Sequence, residues 1–217
     1  MGKITDISQQ KKHTYLYNIF IDESFYCSVR DIDISVLNLR VGKELSRDDL
    51  ENIKSNSDIN KTYDRALYYL QYGPRTQQQM TKYLLLKGFS EVYIDKVIKK
   101  LVSNNYINDT QYATSFIEEK QKYRLKSNSY IKSQLIKKGV DISIIDSCLK
   151  IQNEGNQHGI IKELAVKKYS QGTRYQDKQK MTQYLLRQGF NYSEIDKAMN
   201  ESGLVFGGDK KMYNNSY

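Results

Sequence analysis

The residues best suited to bind another molecule lie near the middle of the chain, where basic side chains alternate with aromatic and apolar ones. The stretch reads Lys120-Gln121-Lys122-Tyr123-Arg124-Leu125-Lys126. Lysine and arginine can contact phosphate groups, and a tyrosine ring can stack on a nucleobase. The same pattern is also typical of the solvated end of a helix, so the sequence leaves both interpretations open.

We predict ten residues that contact a nucleic acid or an acidic protein surface. Seven belong to the central part of the chain: Lys120, Lys122, Tyr123, Arg124, Lys126, Lys132 and Lys137. Three more lie further along it: Lys167, Lys168 and Arg174. Tyr130 and Tyr175 lie beside basic residues and are further candidates. Tyr83 and Tyr184 share one position of a repeat, so we expect them to pack in the core.

The residue types that perform covalent chemistry are sparse. His13 and His158 are the only histidines, and Cys27 and Cys148 are the only cysteines, without the spacing of a zinc site. No glycine-rich phosphate loop and no His-Glu-x-x-His pattern is present. We therefore predict no catalytic residues, no metal and no cofactor. Cys148 is expected to be a small core residue.

The distribution of charge supports a polyanionic partner. The chain has 217 residues and a formal net charge of +9. Residues 1–61 carry a net charge of −1, whereas residues 62–200 carry +10. A basic region next to a neutral one is typical of nucleic-acid binding, and a solvated lysine-rich surface is the other interpretation.

A stretch that occurs three times indicates how these residues are positioned. A pair or run of leucine or isoleucine residues is followed, after one or two basic or polar residues, by a glycine. These glycines are Gly88, Gly139 and Gly189, which are 51 and 50 residues apart. A helix-capping residue stands twelve positions before each glycine, and Ile-Asp follows at six and seven positions after it. A period of this size predicts repeated structural units.

Each repeat is predicted to contain a tight helical hairpin. A cap followed by apolar residues at helical spacing and then by glycine describes a helix with both ends marked. An apolar helix precedes each hairpin, so the units have three helices each. We predict repeats at 59–107, 108–150 and 151–201 and a flexible tail at 202–217.

The first 58 residues have a different character. Residues 14–21 and 25–29 are rich in aromatic and branched side chains and predict a β-hairpin, to which Ile4–Ile7 adds a third strand. Short helices follow, one from Asp31 or Asp33 through Leu39 to a stop near Gly42, and one from Arg47 to Ser55. The fold class is therefore mainly α, an elongated and curved array of tandem three-helix repeats after a small β-hairpin segment.

These features together resemble one known family. Arg75-Thr76 stands before the first central helix, each central helix has the Leu-x-x-x-Gly ending, and the second unit opens with Tyr106-Ile107-Asn108-Asp109-x-x-Tyr112-Ala113-x-x-Phe116-Ile117. Their order and spacing are similar to those of the RecX family of regulatory proteins, over nearly the whole chain. The chain departs from the family in two respects. Asn128 stands where relatives usually have glycine, and the chain ends after three units where many relatives continue.

The resemblance implies a cytoplasmic, non-enzymatic modulator of the RecA recombinase. Such a protein binds the RecA filament on DNA and limits ATP hydrolysis and strand exchange, in the context of recombination, repair and the SOS response. The partners implied are the RecA filament and single- or double-stranded DNA without sequence preference. No apolar run approaches the ~20 residues that cross a bilayer, so we expect no membrane association, and we expect a monomer.

Two other functions remain open from the residues alone. The glycine hairpins could act as helix-turn-helix readers of the major groove in an autonomous DNA-binding regulator. An enzyme acting on nucleic acid is the third alternative. Sequence-selective binding of DNA by the isolated protein would favour the helix-turn-helix regulator. Salt-sensitive binding without sequence preference would favour the filament regulator.

Overall fold

The computed structural model describes residues 1–123, 125–152 and 157–206. These residues form two compact units, one of residues 1–74 and 80–107, the other of residues 75–79 and the chain from 108 onward. The predicted contact residue Arg124 and the tail residues 207–217 lie outside the described ranges.

The first unit begins with a four-stranded antiparallel sheet. Its strands are β1 (Gly2–Gln9), β2 (Leu16–Ile21), β3 (Ser24–Arg30) and β4 (Glu44–Leu45), in the order β3-β2-β1-β4. Alternate residues of these strands, including Ile4, Ile19 and Val29, are buried on one face. The predicted hairpin and third strand are confirmed, and the short strand β4 was not predicted.

The first helix, α1 (Asp31–Val36), is shorter than predicted. Its N-cap is Arg30, and the Asp33 carboxylate accepts a hydrogen bond from the Arg30 backbone N–H at 3.1 Å. The prediction of a helix continuing through Leu39 to Gly42 is wrong, because the backbone turns at Asn38, whose φ is 47°. Positive φ is incompatible with a right-handed helix.

A single helix, α2 (Arg47–Leu70), runs through the segment where two helices were predicted. Ser46 caps it, since its hydroxyl accepts from the Asp49 N–H at 3.1 Å while the Asp49 carboxylate accepts from the Ser46 N–H at 2.9 Å. Midway along α2, Ser57 is buried and donates to the Ser28 carbonyl of β3 at 2.5 Å. The predicted boundary between residues 58 and 59 therefore falls inside one helix.

Eight further helices follow in the described ranges. They are α3 (Gln77–Leu86), α4 (Glu91–Ser103), α5 (Asp109–Glu118), α6 (Asn128–Lys137), α7 (Ile142–Gln152), α8 (Gln157–Tyr169), α9 (Lys178–Arg187) and α10 (Tyr192–Asn200). The pairs α3–α4, α6–α7 and α9–α10 are called hairpins 1, 2 and 3 below. Their turns contain Gly88, Gly139 and Gly189 at φ values of 82°, 82° and 92°, which glycine adopts without strain.

The repeat positions occupy the same place in all three cores. Met80, Ile131 and Met181 are fully buried in the first helix of each hairpin, as are Leu84, Leu135 and Leu185. The repeated isoleucines Ile94, Ile145 and Ile195 are buried in the second helix. Cys148 is buried as predicted. The mainly α fold with three-helix units and a small strand segment is confirmed. The finer division at residues 59–107, 108–150, 151–201 and 202–217 stays a prediction.

The helices of the described residues are too short or too polar to cross a membrane. Among the same residues, no group of three or more His, Cys, Asp or Glu side chains could hold a metal ion.

Candidate nucleic-acid interface

The described residues of the central basic stretch lie between α5 and α6. Residues Glu119–Tyr123 form a π-helical turn after α5. Leu125 then adopts a φ of 47° and is only 5% exposed, because it packs in the core of the third repeat with Ile160 and Leu164. Tyr123, in contrast, is 69% exposed. The buried leucine thus anchors this part of the chain, whereas the side chains of Lys122 and Tyr123 are at the surface.

Several lysines of this region lie over aromatic rings. The Lys120 Nζ is 4.9 Å from the centre of the Phe116 ring, and the Lys138 Nζ approaches the same ring at 5.6 Å. The Lys126 Nζ lies 5.0 Å from the Tyr130 ring centre. Within ~6 Å an ammonium group is attracted to the ring face. These contacts restrict the lysine side chains and hold their charges near the surface of the second repeat.

The predicted lysines differ in whether a carboxylate already compensates their charge. Lys120 forms an ion pair with Glu119 at 2.8 Å, and Lys132 forms one with Asp146 of α7 at 2.5 Å. Lys122 and Lys137 are exposed, and within the described part of the chain neither forms a salt bridge. Lys122 and Lys137 are therefore the members of the central set best placed to meet a phosphate.

The third repeat contributes a second basic and aromatic group. The Lys168 Nζ lies 5.6 Å from the Tyr175 ring centre and 5.3 Å from that of Tyr184. The Arg174 guanidinium carbon is 5.9 Å from the Tyr175 ring centre, in a 3-10 turn that precedes α9. Lys167 and Arg174 are exposed. Burial raises the pKa of the Tyr184 hydroxyl, and Tyr175 raises it further, so Tyr184 has the structural environment that the sequence predicted.

Helix α9 brings the two basic groups together. The Lys126 ammonium donates a hydrogen bond to the Gln188 side chain at the end of α9. Lys168 lies over Tyr184, which precedes Gln188 by one helical turn. Residues four apart on a helix have Cβ atoms about 6 Å apart. The second and third repeats therefore present their lysines along the same segment of α9.

Asn128, which departs from the family pattern, is held by two glutamines. Its side-chain oxygen accepts from the Nε2 atoms of Gln121 and Gln157, each at 2.9 Å, and its N–H donates to the Gln157 Oε1 at 3.1 Å. A cleft of about 400 Å³ adjoins this network. Its lining residues are Ser127, Asn128, Ser129, Gln157, Gly189, Phe190, Asn191 and Glu194. Among the described residues that line the cleft, Glu194 is the charged one, and it is acidic, so the cleft does not extend the basic surface.

The structure reveals an aromatic group that the sequence analysis missed. At the end of α2 and in the turn that follows it, the hydroxyls of Tyr68 and Tyr72 are hydrogen-bonded at 2.7 Å, and the Arg65 guanidinium carbon lies 5.7 Å from the Tyr68 ring centre. Both tyrosines are exposed, at 47% and 63%. Their spacing of three and four residues on a predicted helix was the signal that would have identified the group.

Comparison with known proteins places this architecture in a family. Three family models match: "Regulatory protein RecX N-terminal domain" at residues 2–46, "RecX, first three-helix domain" at 63–101 and "RecX, third three-helix domain" at 159–199.

Two relatives with the name "Regulatory protein RecX" have similar sequences. The one from Bacillus pumilus is 32% identical over 93% of this chain and 78% of its own length, and the one from Streptococcus uberis is 33% identical over 88% and 74%.

Two solved structures have similar folds. A crystal structure of regulatory protein RecX has a TM-score of 0.73 and 29% identity, and it covers 92% of this chain and all of its own. The structure of RecX from Lactobacillus salivarius has a TM-score of 0.60 and 34% identity, and covers 68% of this chain and 98% of its own.

Proposed function

Because this chain belongs to the RecX family of regulatory proteins, we propose that it binds the RecA recombinase filament on DNA and modulates its activity. The expected effect is mostly inhibition of ATP hydrolysis and strand exchange. The protein acts through binding alone, without covalent chemistry and without a cofactor, in the cytoplasm. The observation that carries this proposal is the match of three parts of one chain to RecX domains: the N-terminal strand-containing segment, called the head below, the first repeat and the third repeat.

The proposed contact with DNA uses the basic surface of the second unit. Lys122 and Lys137 provide exposed charges without carboxylate partners in the described chain, and Tyr123 provides an exposed ring between basic residues. Phosphate contacts of this kind carry no sequence information. The proposed DNA binding is therefore weak, sensitive to salt and independent of sequence.

The proposed contact with the recombinase uses more than one part of the chain. We expect the head and the third repeat to contact different subunits of the filament, while the middle repeat approaches DNA or an acidic recombinase surface. A filament offers the same subunit surface at regular intervals, and repeated helical units are suited to bind such an object. In solution the chain is expected to be a monomer.

The test is the ATPase activity of the recombinase on single-stranded DNA as this protein is added. The expected result is a decrease that saturates when the protein is well below one copy per recombinase subunit, since one chain would contact several subunits. A control titration uses DNA that has no recombinase, and follows binding of the isolated protein by fluorescence anisotropy. An unchanged ATPase rate at saturating protein would contradict the proposal.

The anisotropy titration also distinguishes the alternative regulator. Oligonucleotides of unrelated sequence are expected to bind with equal affinity, and the affinity is expected to fall with added salt. A preference of a hundredfold or more for one duplex sequence would favour an autonomous helix-turn-helix reader instead.

A further inference from the structure

Within the second unit, residues 75–79, at the start of hairpin 1, make a specific contact with the turn of hairpin 2. The Thr76 hydroxyl, at the start of α3, donates to the carbonyl of Lys138 at 2.6 Å, where α6 ends. Next to it, Gln78 packs so closely on Gly139 that a Cβ atom at Gly139 would overlap the Gln78 side chain. The start of one central helix therefore covers the glycine turn of the following hairpin.

The same contact occurs again one repeat later. The backbone N–H of Ser127, at the start of α6, donates to the carbonyl of Gln188 at 3.3 Å, where α9 ends. A Cβ atom at Gly189 would overlap the Ser127 hydroxyl and approach Tyr130. Ser127 occupies the repeat position of Thr76, and Gln188 that of Lys138. The contact is thus a property of the repeat and not of one pair of residues.

In hairpin 1, no described residue covers the glycine turn in the way that Gln78 covers Gly139. No heavy atom of the described chain lies within 4 Å of an ideal Cβ at Gly88. Lys87 and Gly88 are exposed, whereas the residues at the same positions in hairpins 2 and 3 are partly buried. Phe89 is partly buried, whereas Val140 and Phe190 in the same position are buried.

In hairpin 3, the residues at the start of α9 that would cover a following glycine turn are exposed. Thr76 and Ser127 are 0% and 2% exposed. Asp177, in the same position before α9, is exposed. Its carboxylate accepts from the Lys180 N–H at 2.9 Å as a helix cap. Gln179 stands where Gln78 stands in the first contact.

The two exposed sides have complementary chemistry. A second copy placed as the repeats are would bring the backbone N–H of its Asp177 to the carbonyl of Lys87, as the Ser127 N–H meets the Gln188 carbonyl, and would bring its Gln179 to Gly88. Asp177 is negative and Lys87 is positive, and the glutamine is the residue already used at Gly139. We propose that copies of this chain associate head to tail, with the start of α9 of one copy covering the Gly88 turn of the next.

This association would be open-ended and weak. A contact between two different surfaces of the same molecule can continue from copy to copy. The contact involves few residues, and interfaces well below about 1,000 Å² are rarely stable alone. Dilute protein would therefore remain monomeric, and association would become visible at high local concentration. The proposal does not depend on the recombinase, so it can be tested without it.

Disulfide cross-linking can detect such a weak contact. The two native cysteines are buried, so the variants Lys87→Cys and Asp177→Cys each add one accessible thiol. A disulfide requires Cα atoms about 5.5 Å apart. Under mild oxidation, an equimolar mixture of the two variants is expected to give at least fivefold more dimer than either variant alone. A chain carrying both substitutions is expected to give a ladder of higher species.

The matched control pairs Asp177→Cys with Lys11→Cys, an exposed residue of the head. Equal dimer formation in this control and in the Lys87→Cys mixture would overturn the proposal. Dimer formation by Lys87→Cys alone that equals dimer formation by the mixture would also overturn it, because it would indicate a symmetric contact. Circular dichroism of each variant confirms that Asp177→Cys, which removes a helix cap, remains folded. Lys87→Glu leaves that cap intact. This variant is expected to have a lower weight-average molecular mass than the parent protein in sedimentation equilibrium at high protein concentration.

Discussion

Neutralising Lys122 and Lys137, which form no salt bridge within the described residues, should weaken DNA binding by an amount that its salt dependence can quantify. We consider the double variant Lys122→Gln and Lys137→Gln, in which both side chains are exposed and the core is untouched. Each phosphate contact on single-stranded DNA contributes about 0.7 to the slope of log K against log salt. Loss of two contacts should reduce the slope by about 1.4. If the two binding curves converge near 1 M salt, the affinity at about 0.1 M should fall ~25-fold.

The assay is fluorescence anisotropy with a labelled oligonucleotide at several salt concentrations. Two matched controls remove the same number of charges. Lys120→Gln with Lys132→Gln removes lysines that are paired with Glu119 and Asp146, and its slope should change less. Lys11→Gln with Lys12→Gln changes the head, and its slope should not change. The proposal that Lys122 and Lys137 contact DNA is refuted if the Lys122→Gln and Lys137→Gln variant keeps the parental salt slope. It is also refuted if all three double variants lower the slope equally.

Three further predictions concern the structure that supports this surface. Leu125→Ala should lower the free energy of unfolding by about 2–4 kcal/mol, because Leu125 is buried in the third repeat; chemical denaturation measures the loss. Gly189→Ala should be more destabilising than Gly88→Ala, because both glycines have positive φ but only at Gly189 would the new Cβ overlap a neighbour; equal shifts in thermal midpoint would contradict the contact between repeats. Burial raises the pKa of the Asp109 carboxyl, which accepts from the Gln77 N–H at 2.9 Å. The folded state therefore binds the proton more tightly, and stability should fall as the pH rises above the usual carboxyl range; Asp109→Asn should remove this dependence, whereas Asp109→Ala should cost about 1–3 kcal/mol.

The hairpins could be predicted because every signal for them is local. The capping residue twelve positions before Gly88 is Thr76, and it caps the helix as predicted: the Gln79 N–H donates to the Thr76 hydroxyl at 3.1 Å, and the Thr76 N–H donates to the Gln79 side chain at the same distance. The glycine, the cap and the apolar spacing of each hairpin all lie within about thirty residues. Three copies of one pattern also make an accidental match improbable.

The continuity of α2 could not be predicted, because the contacts that hold its middle are distant in sequence. Residues 55–58 are polar and offer no apolar periodicity. They are helical because Ser57 donates to β3 and because Arg30 of β3 pairs with Asp64 at 2.5 Å. The packing of α2 against the sheet thus determines a local structure that propensity does not favour.

Which lysines form a salt bridge could not be predicted from the sequence either. Lys132 and Lys137 lie on the same helix and are indistinguishable by composition, yet only Lys132 reaches a carboxylate of α7. The role of Leu125 was also hidden, since an apolar residue among lysines gives no indication of which repeat buries it. The ion pair of Lys132 depends on how α6 packs on α7, and the burial of Leu125 depends on how the stretch packs on the third repeat.

The unbroken α2 constrains which lengths of chain this family can tolerate between the strands and the first hairpin. An α-helix turns about 100° per residue, so one inserted residue would rotate the sheet to a different side of the first repeat. Insertions of seven residues restore the original orientation to within about 20°. We therefore expect homologues with an intact helix here to differ in length by whole turns, and a single-residue insertion in α2 to change the side of the first repeat that the sheet faces.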